Sequence, residues 1–180
     1  INDYELVTQL FPTGTNARIA SDNFGFSVFI EGTTILVGAP YHEYDTTGGS
    51  PVSHAGAAWV FDYNGTWSQT TKLVGTGVNG RNANDWFGYS LGLNGSYIII
   101  GAPQHGYDDY GANLVTNNGA AWVFEKTDSG WVSSSKLIEF GRDKNTGDLT
   151  GTSIACDGKT CVVGAPGNSY DATLDESGTA

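Results

Sequence analysis

The sequence contains no methionine, few basic residues and no long apolar segment. Its 8 Lys and Arg face 19 Asp and Glu, which gives a net charge of -11. A surface of this sign repels phosphate backbones and anionic membranes, so nucleic-acid binding is not expected. No apolar run approaches the roughly 18 residues of a membrane span, and no signal peptide heads the chain. We expect no membrane insertion, and the start at Ile1 without methionine indicates a processed protein or a piece of a longer one.

Glycine and aromatic residues are abundant instead. The 180 residues include 26 glycines, and aromatic side chains make up 12% of the chain. This composition, with few long polar helical stretches, favours short strands joined by many turns. The sequence therefore predicts an all-β fold, and no shift in composition divides the chain into separate domains.

One short motif recurs three times and organises the chain. Val-Gly-Ala-Pro, once with Ile for Val, occupies residues 37–40, 100–103 and 163–166, so that its glycines are 63 residues apart. The same step aligns the residues around Phe24 with those around Phe87, and Trp59 with Trp122. A fixed period of this length is typical of repeat architectures. We therefore predict about three structural units of 63 residues.

Each unit is predicted to contain four antiparallel strands. In the first unit they cover residues 24–30, 34–38, 57–63 and 67–73. The second strand is apolar at nearly every position, which indicates that both of its faces are covered. The fourth strand is mostly Ser, Thr and Gln between apolar ends. This gradient suits a blade whose inner strands lie between neighbouring blades and whose last strand faces solvent.

These motifs resemble the FG-GAP repeat, the blade unit of integrin-α-type β-propellers and of many secreted proteins. The resemblance is carried by residues 22–28 with 37–40, and by residues 85–91 with 100–103. The third copy keeps Gly151 and Ser153 but has Thr150 in place of Phe. Many integrin-like blades carry a calcium loop, which the short connections here lack, because they offer too few oxygens. The resemblance therefore implies a β-propeller-like fold of the calcium-free variety, with no metal site and no cofactor.

The repeats divide the chain into one array. Residues 1–10 are predicted to be the outer strand of a preceding blade, 22–73 the first blade, 85–137 the second, and 148–180 an incomplete third. Closed propellers typically need at least four blades. Two arrangements remain open: the chain is an excerpt of a longer array, or separate chains complete one another's unfinished blades through residues 4–10.

Two cysteines flank a turn in the third unit. Cys156 and Cys161 enclose four turn-forming residues between apolar strands, so they are placed to face each other across a hairpin. Facing residues of that kind lie within reach of a disulfide, and we predict one, which fits an oxidising compartment. The alternative is a pair of small buried residues, because the other units carry Ile or Leu at these two positions.

A Tyr-Asp pair recurs in the long acidic loops. Its members are Tyr44 and Asp45, Tyr107 and Asp108, and Tyr170 and Asp171. One interpretation is a ligand or cation site, in which Asp supplies oxygens and Tyr stacks on a sugar. The other is a repeated turn in which Asp caps backbone amides, and recurrence in every unit favours this structural interpretation. We likewise expect Asp22, Asp85 and Asp148 to accept hydrogen bonds from turn amides.

No catalytic constellation stands out. His42 and His105 align, but Asn168 takes the third place, so a zinc site is not indicated and the histidines are expected on the surface. Two sequons, at Asn64 and Asn94, lie at predicted hairpin tips, where glycosylation is possible. Asn-Gly is also a favoured hairpin turn, which accounts for the asparagines without sugar.

The sequence as a whole predicts a secreted or cell-surface protein without enzymatic activity. We expect a structural or adhesive array whose partners are neighbouring blades or chains, with self-assembly into filaments as one outcome. The alternative function is a glycan- or protein-binding propeller module that contacts glycans or cell-surface proteins through its long acidic loops.

Overall fold

The computed structural model describes residues 8–108, 110–111, 113–138, 146–168 and 178–180. Every regular element among these residues is a strand. The strands are β1 Ser27–Glu31, β2 Thr34–Ala39, β3 Ala57–Tyr63, β4 Trp67–Leu73, β5 Ser90–Asn94, β6 Tyr97–Ala102, β7 Ala120–Thr127, β8 Gly130–Leu137, β9 Ser153–Asp157 and β10 Thr160–Gly164.

The strands form two complete blades and part of a third. Blade 1 is an antiparallel sheet in the order β1-β2-β3-β4, blade 2 has the order β5-β6-β7-β8, and β9 pairs with β10 in blade 3. The register shifts between Val60 and Phe61 in blade 1 and at the matching place, between Val123 and Phe124, in blade 2. The predicted all-β fold of repeated four-stranded antiparallel blades is confirmed.

The second strands lie in the core, as their apolar sequence predicts. Leu36 of β2 and Ile98 and Ile100 of β6 are fully buried, and they belong to one apolar cluster that also holds Trp122. The first strands of blades 2 and 3, β5 and β9, pack on the first and second strands of the blade before them. Leu91 and Leu93 of β5 are accordingly buried against blade 1. The matching residues of blade 1, Val28 and Ile30, are 70% and 63% exposed.

A serine and a glycine carbonyl join each blade to the next. Ser27 Oγ donates to the carbonyl of Gly88 at 2.7 Å, and Ser90 Oγ donates to the carbonyl of Gly151 at 2.6 Å. The glycine of the Gly-Ala-Pro motif makes room for that carbonyl. A Cβ on Gly38 would lie 2.0 Å from the Gly88 oxygen, so no other residue fits without displacing backbone. The repeated motif is therefore an inter-blade contact.

Blade 3 repeats the beginning of the third strand. Thr179 forms an antiparallel bridge with Ala165, and the amide of Gly178 donates to the Asn168 carbonyl at 2.7 Å. Gly56 and Gly119 make the same bond to His42 and His105, each at 2.8 Å. Residues 178–180 thus occupy the position of the start of a third strand.

Two boundaries differ from the prediction or lie beyond it. The first strand of blade 1 begins at Ser27 and not at Phe24, because Phe24 and Gly25 form a turn in which Gly25 has a φ of 94°. Of the predicted outer strand at residues 1–10, residues 1–7 lie outside the described residues and residues 8–10 have no strand pairing. Leu10 nevertheless packs against the apolar cluster of blade 1.

Across the described parts of the chain, we find no helix with the length and apolar character that crossing a bilayer requires.

Candidate functional site

The two long loops and the turns before β1 and β5 meet at one end of the blades, which we call the loop face. The long loops run from β2 to β3 and from β6 to β7. Each complete blade holds a line of three polar residues beneath this face, an Asp-His-Lys cluster, made of Asp22, His42 and Lys72 in blade 1 and of Asp85, His105 and Lys136 in blade 2.

In blade 1 the cluster is a continuous chain of hydrogen bonds. His42 Nδ1 lies 3.3 Å from Asp22 Oδ2, and Lys72 Nζ lies 2.9 Å from His42 Nε2. Lys72 Nζ also donates to the carbonyl of Asp45, 2.5 Å away. The turn before β1, the long loop and strand β4 are thereby joined at one point, although they are far apart in sequence.

Blade 2 repeats this arrangement. His105 Nδ1 lies 3.1 Å from Asp85 Oδ2, and Lys136 Nζ lies 3.3 Å from His105 Nε2. Lys136 also donates to the carbonyl of Asp108. The ring of Trp122 packs edge-on against His105 with centroids 4.8 Å apart, as Trp59 packs against His42 at 5.0 Å.

The expectation of surface histidines is wrong. His42 and His105 are both fully buried, because each has a carboxylate on one ring nitrogen, a lysine on the other and a tryptophan against the ring. A polar side chain with partners on every side is buried at little cost. The three aspartates before the first strands are buried as well. Asp22 and Asp85 also accept turn amides from Ile19 and Asn82, as predicted.

The electrostatics of blade 1 keep His42 neutral. Burial, together with the nearby Lys72, lowers the pKa of His42 from 6.5 to about 4, although Asp22 opposes the shift. Neutral His42 donates from Nδ1 to Asp22 and accepts from Lys72 at Nε2. Burial likewise lowers the pKa of Lys72 from 10.5 to about 8, with the charge of Arg81 as a further cause.

The Tyr-Asp pair of blade 1 forms a turn. Asp45 Oδ1 accepts the amide of Thr47 at 2.8 Å and the amide of Gly49 at 2.9 Å. The hydrogen bond from the Thr47 hydroxyl, together with the bonds from these two amides, lowers the pKa of Asp45 to about 2. Tyr44 lies beside His42, with ring centroids 6.1 Å apart. The geometry is that of the structural interpretation, in which Asp caps backbone amides.

The second Tyr-Asp pair occupies the matching place. Asp108 Oδ2 accepts from Asn113 Nδ2 at 2.5 Å, and the Asp108 carbonyl accepts from Gly111 at 3.0 Å. Tyr107 lies 6.1 Å from His105, ring to ring. Tyr170 and Asp171 lie outside the described residues. The two described pairs thus lie one on each of the two long loops.

The remaining predicted residues lie away from the loop face. Asn64 and Asn94 follow β3 and end β5, at the opposite end of the blades; Asn64 is exposed and Asn94 partly buried. Cys156 and Cys161 face each other across β9 and β10 and are joined by a disulfide, with Cα atoms 4.1 Å apart. Among the described residues no group of three or more His, Cys, Asp or Glu could hold a metal ion.

Sequence reasoning missed the two lysines. Lys72 and Lys136 stand in polar fourth strands, where a charged residue is expected to face solvent. The signal was their equivalent position in blades 1 and 2, once the one extra residue that blade 2 carries between Phe124 and Trp131 is allowed for. With the histidines fully buried, the Asp-His-Lys clusters hold the long loops to the fourth strands through hydrogen bonds.

Stacked four-stranded blades with repeated supports beneath one loop face define a propeller-like repeat protein. Residues 18–61 and 67–124 match the FG-GAP repeat, and the chain belongs to the FG-GAP repeat family. A search of curated proteins finds no match. FG-GAP repeats occur in integrin-like extracellular adhesion and propeller proteins and are generally non-enzymatic.

Proposed function

We propose that this chain is a secreted or cell-surface structural module that acts in adhesion and has no enzymatic activity. The observation that carries the proposal is the repeated serine-to-glycine contact, which joins blade 1 to blade 2 and blade 2 to blade 3 in the same geometry. Blades joined in this way form a stiff stack, since each interface repeats the last. Its loop face is held in place by the Asp-His-Lys clusters.

Other features support the extracellular placement. A disulfide persists in oxidising environments, and the exposed Asn64 sequon is accessible to glycosylation. The net charge of -11 disfavours nucleic acid and anionic membranes as partners. We therefore propose glycans and cell-surface proteins as the classes of binding partner.

Self-assembly is part of the proposal. Val28 and Ile30 form an exposed apolar face on blade 1. In blades 2 and 3 the matching face is packed on the preceding blade. If blade 3 of a second chain covered Val28 and Ile30, the stack would become longer. Repeated addition would give a filament.

Sedimentation velocity across a range of protein concentrations tests the self-assembly, with electron microscopy of the largest species. We expect particles that lengthen with concentration, and we expect Val28→Lys with Ile30→Lys to abolish the lengthening. Val132→Lys, on an exposed position of β8, is the matched control. A monodisperse monomer at all concentrations would contradict the assembly.

Adhesion itself is tested by attaching cells to surfaces coated with the chain. Attachment above that to an albumin-coated surface is the expected result, and attachment no different from albumin would contradict it.

The alternative function is glycan or protein binding through the long acidic loops. Tyr44 and Tyr107 favour it, because both are partly exposed on the loop face beside hydrogen-bonded turns. A glycan array probed with and without a chelator tests this alternative; binding lost in Tyr44→Ala would support it, and an array without signal would contradict it.

A further inference from the structure

Five aromatic rings lie in a row where blade 1 meets blade 2. The row runs Phe26, Tyr89, Trp86, Tyr41 and His54. Successive ring centroids are 4.9, 6.0, 5.7 and 4.9 Å apart. Phe26 is 47% exposed, and the other four are partly buried. The row follows the loop-face side of an internal junction, so it does not depend on the ends of the chain.

The aromatic row is not part of the repeated scaffold. At the junction of blades 2 and 3 four of the five positions hold non-aromatic residues, Gln104, Asn117, Leu149 and Thr152, and the equivalent of Phe26 is Tyr89. The backbone is nevertheless the same at both junctions: Trp86 N donates to the His54 carbonyl at 3.2 Å, and Leu149 N donates to the Asn117 carbonyl at 3.1 Å. The fold therefore forms without aromatic side chains at these positions. Because these rings are gathered at only one of the two junctions, the repeated scaffold does not explain them.

Trp86 occupies an unfavourable backbone conformation. Its φ is 61°, in the left-handed region, where Asn23 stands at the matching position of blade 1 with a φ of 57°. Asn tolerates this region, whereas a bulky side chain is disfavoured there. The indole N–H of Trp86 is also buried, and it has no acceptor among the described residues. Leu149 has a φ of 59° at the matching position of blade 3, so this backbone conformation belongs to the repeat.

Polar groups adjoin one end of the row. His54 Nδ1 donates to Asn84 Oδ1 at 3.2 Å, which leaves the Asn84 amide N–H groups and His54 Nε2 with no partner in the described part of the chain. Asn84 is exposed. Hydrogen-bond donors and acceptors are thus available beside a line of apolar ring faces and edges.

We propose that the row of Phe26, Tyr89, Trp86, Tyr41 and His54 binds a neutral oligosaccharide. Aromatic rings pack against the apolar faces of sugars, and a few convergent polar groups fix the orientation of a bound ligand. This inference rests on the binding alternative of the proposed function. It moves the site from the Tyr-Asp pairs of the long loops to the junction of the two blades.

The geometry favours a saccharide over other ligands of aromatic surfaces. A quaternary ammonium is recognised by a cage of rings, whereas these rings form a line. A proline-rich peptide docks in grooves lined by aromatic residues, but here each ring contacts the next, and Trp86 and Tyr89 are nearly parallel at 13°. An acidic sugar would meet the repulsion of a chain with a net charge of -11. A neutral chain of sugar rings fits a continuous row.

The test uses the intact chain on an array of neutral oligosaccharides, followed by calorimetric titration with the sugars that bind. Trp86→Asn is the informative variant, because Asn23 already holds the same backbone in blade 1. We expect it to weaken sugar binding by roughly 10-fold or more, as loss of an aromatic anchor does, while the melting temperature stays equal or rises. Tyr63→Asn, an exposed aromatic beside Trp67 at the other end of blade 1, is the matched control and should bind normally.

Several results would overturn the inference. They are an array without binding, binding unchanged in Trp86→Asn, a large fall in the melting temperature of Trp86→Asn, or capture of proline-rich peptides and not sugars. If sugar binding is lost in Tyr44→Ala but kept in Trp86→Asn, the site lies on the long loops. That result refutes the aromatic row and leaves the binding alternative intact.

Discussion

Blades 1 and 2 have contacts that blade 3 lacks. All three have the Asp before the first strand, the Gly of the turn, the Ser of the first strand and the Gly of Gly-Ala-Pro. Blades 1 and 2 also have a Phe in the turn and a buried His in the long loop. Blade 3 replaces these with Thr150 and Asn168.

The difference separates two kinds of contact. The shared residues join one blade to the next through backbone carbonyls and a serine hydroxyl. The residues that change are side chains of the core, as when Phe24 packs on Trp59 and Phe87 packs on Trp122. The contacts that join the blades are thus kept in all three blades, whereas the Phe and the His are kept in only two.

The largest effect should come from the turn phenylalanine. Phe87 is 1% exposed and packs on Trp122 and Phe124. Phe87→Ala should lower the free energy of unfolding by about 3 to 5 kcal/mol, as measured by urea denaturation. Thr150→Ala, at the matching position of blade 3, should change it by only about 1 kcal/mol. Equal losses at the two positions would contradict the distinction between the blades.

The glycine of Gly-Ala-Pro gives a second comparison. Gly38→Ala places a Cβ 2.0 Å from the Gly88 oxygen and should destabilise the chain by about 3 kcal/mol through overpacking. In Gly164→Ala the close neighbour is the Ser153 hydroxyl, at 2.4 Å, a side chain that can rotate away. We expect a loss of about 1 kcal/mol there. Thermal unfolding of both variants tests the order, and a greater loss in Gly164→Ala would reverse it.

The disulfide stabilises the hairpin of blade 3, where blades 1 and 2 carry Ile30 with Ile35 and Leu93 with Ile98. Closing so short a loop contributes about 2 kcal/mol in the chain-entropy account. Replacing Cys156 and Cys161 by Ala should cause that loss in urea denaturation. Reduction of the unaltered chain should have a similar effect, while the double variant should be insensitive to reductant. A variant that still responds to reductant would refute this assignment.

The effect that is smallest at neutral pH concerns the Asp-His-Lys cluster. The pKa of His42 is about 4 in the folded chain and near 6.5 when unfolded. Between these values the unfolded chain binds a proton that the folded chain does not, so stability falls as the pH drops from 6.5 towards 4, and His42 adds no pH dependence above this range.

His42→Asn, which introduces the residue of blade 3, should remove this part of the pH dependence. The melting temperature, followed between pH 7 and about 4, should decline less steeply than in the unaltered chain. His54→Asn, outside the cluster, should keep the full slope. If His42→Asn leaves the slope unchanged, His42 is not the group that titrates.

Much of the fold was predictable from the sequence. The bounds of β3 and β4, residues 57–63 and 67–73, were predicted without error, because apolar and polar patterning and turn residues mark short strands locally. The Gly-Ala-Pro motif was recognised, but its role was not, because the carbonyl that it accommodates belongs to the next blade.

The candidate sites were less predictable. The burial of His42 depends on Asp22 and Lys72, which come from other elements, so no local pattern shows it. The aromatic row was also hidden, since its rings are spread over residues 26–89 and meet only across the junction. One clue was present: Trp86 replaces the Asn of blade 1 at a position that repeats.

The serine-to-glycine contact has a consequence for how such chains evolve. Ser27 and its acceptor Gly88 are 61 residues apart, about one period, so each unit carries a donor for the unit after it and an acceptor for the unit before it. Duplication or deletion of one whole unit in the gene regenerates a matched pair at the new boundary. A recombination event that spans only part of a unit separates the two. The number of repeats can therefore change by whole units, and no new interface between blades has to evolve.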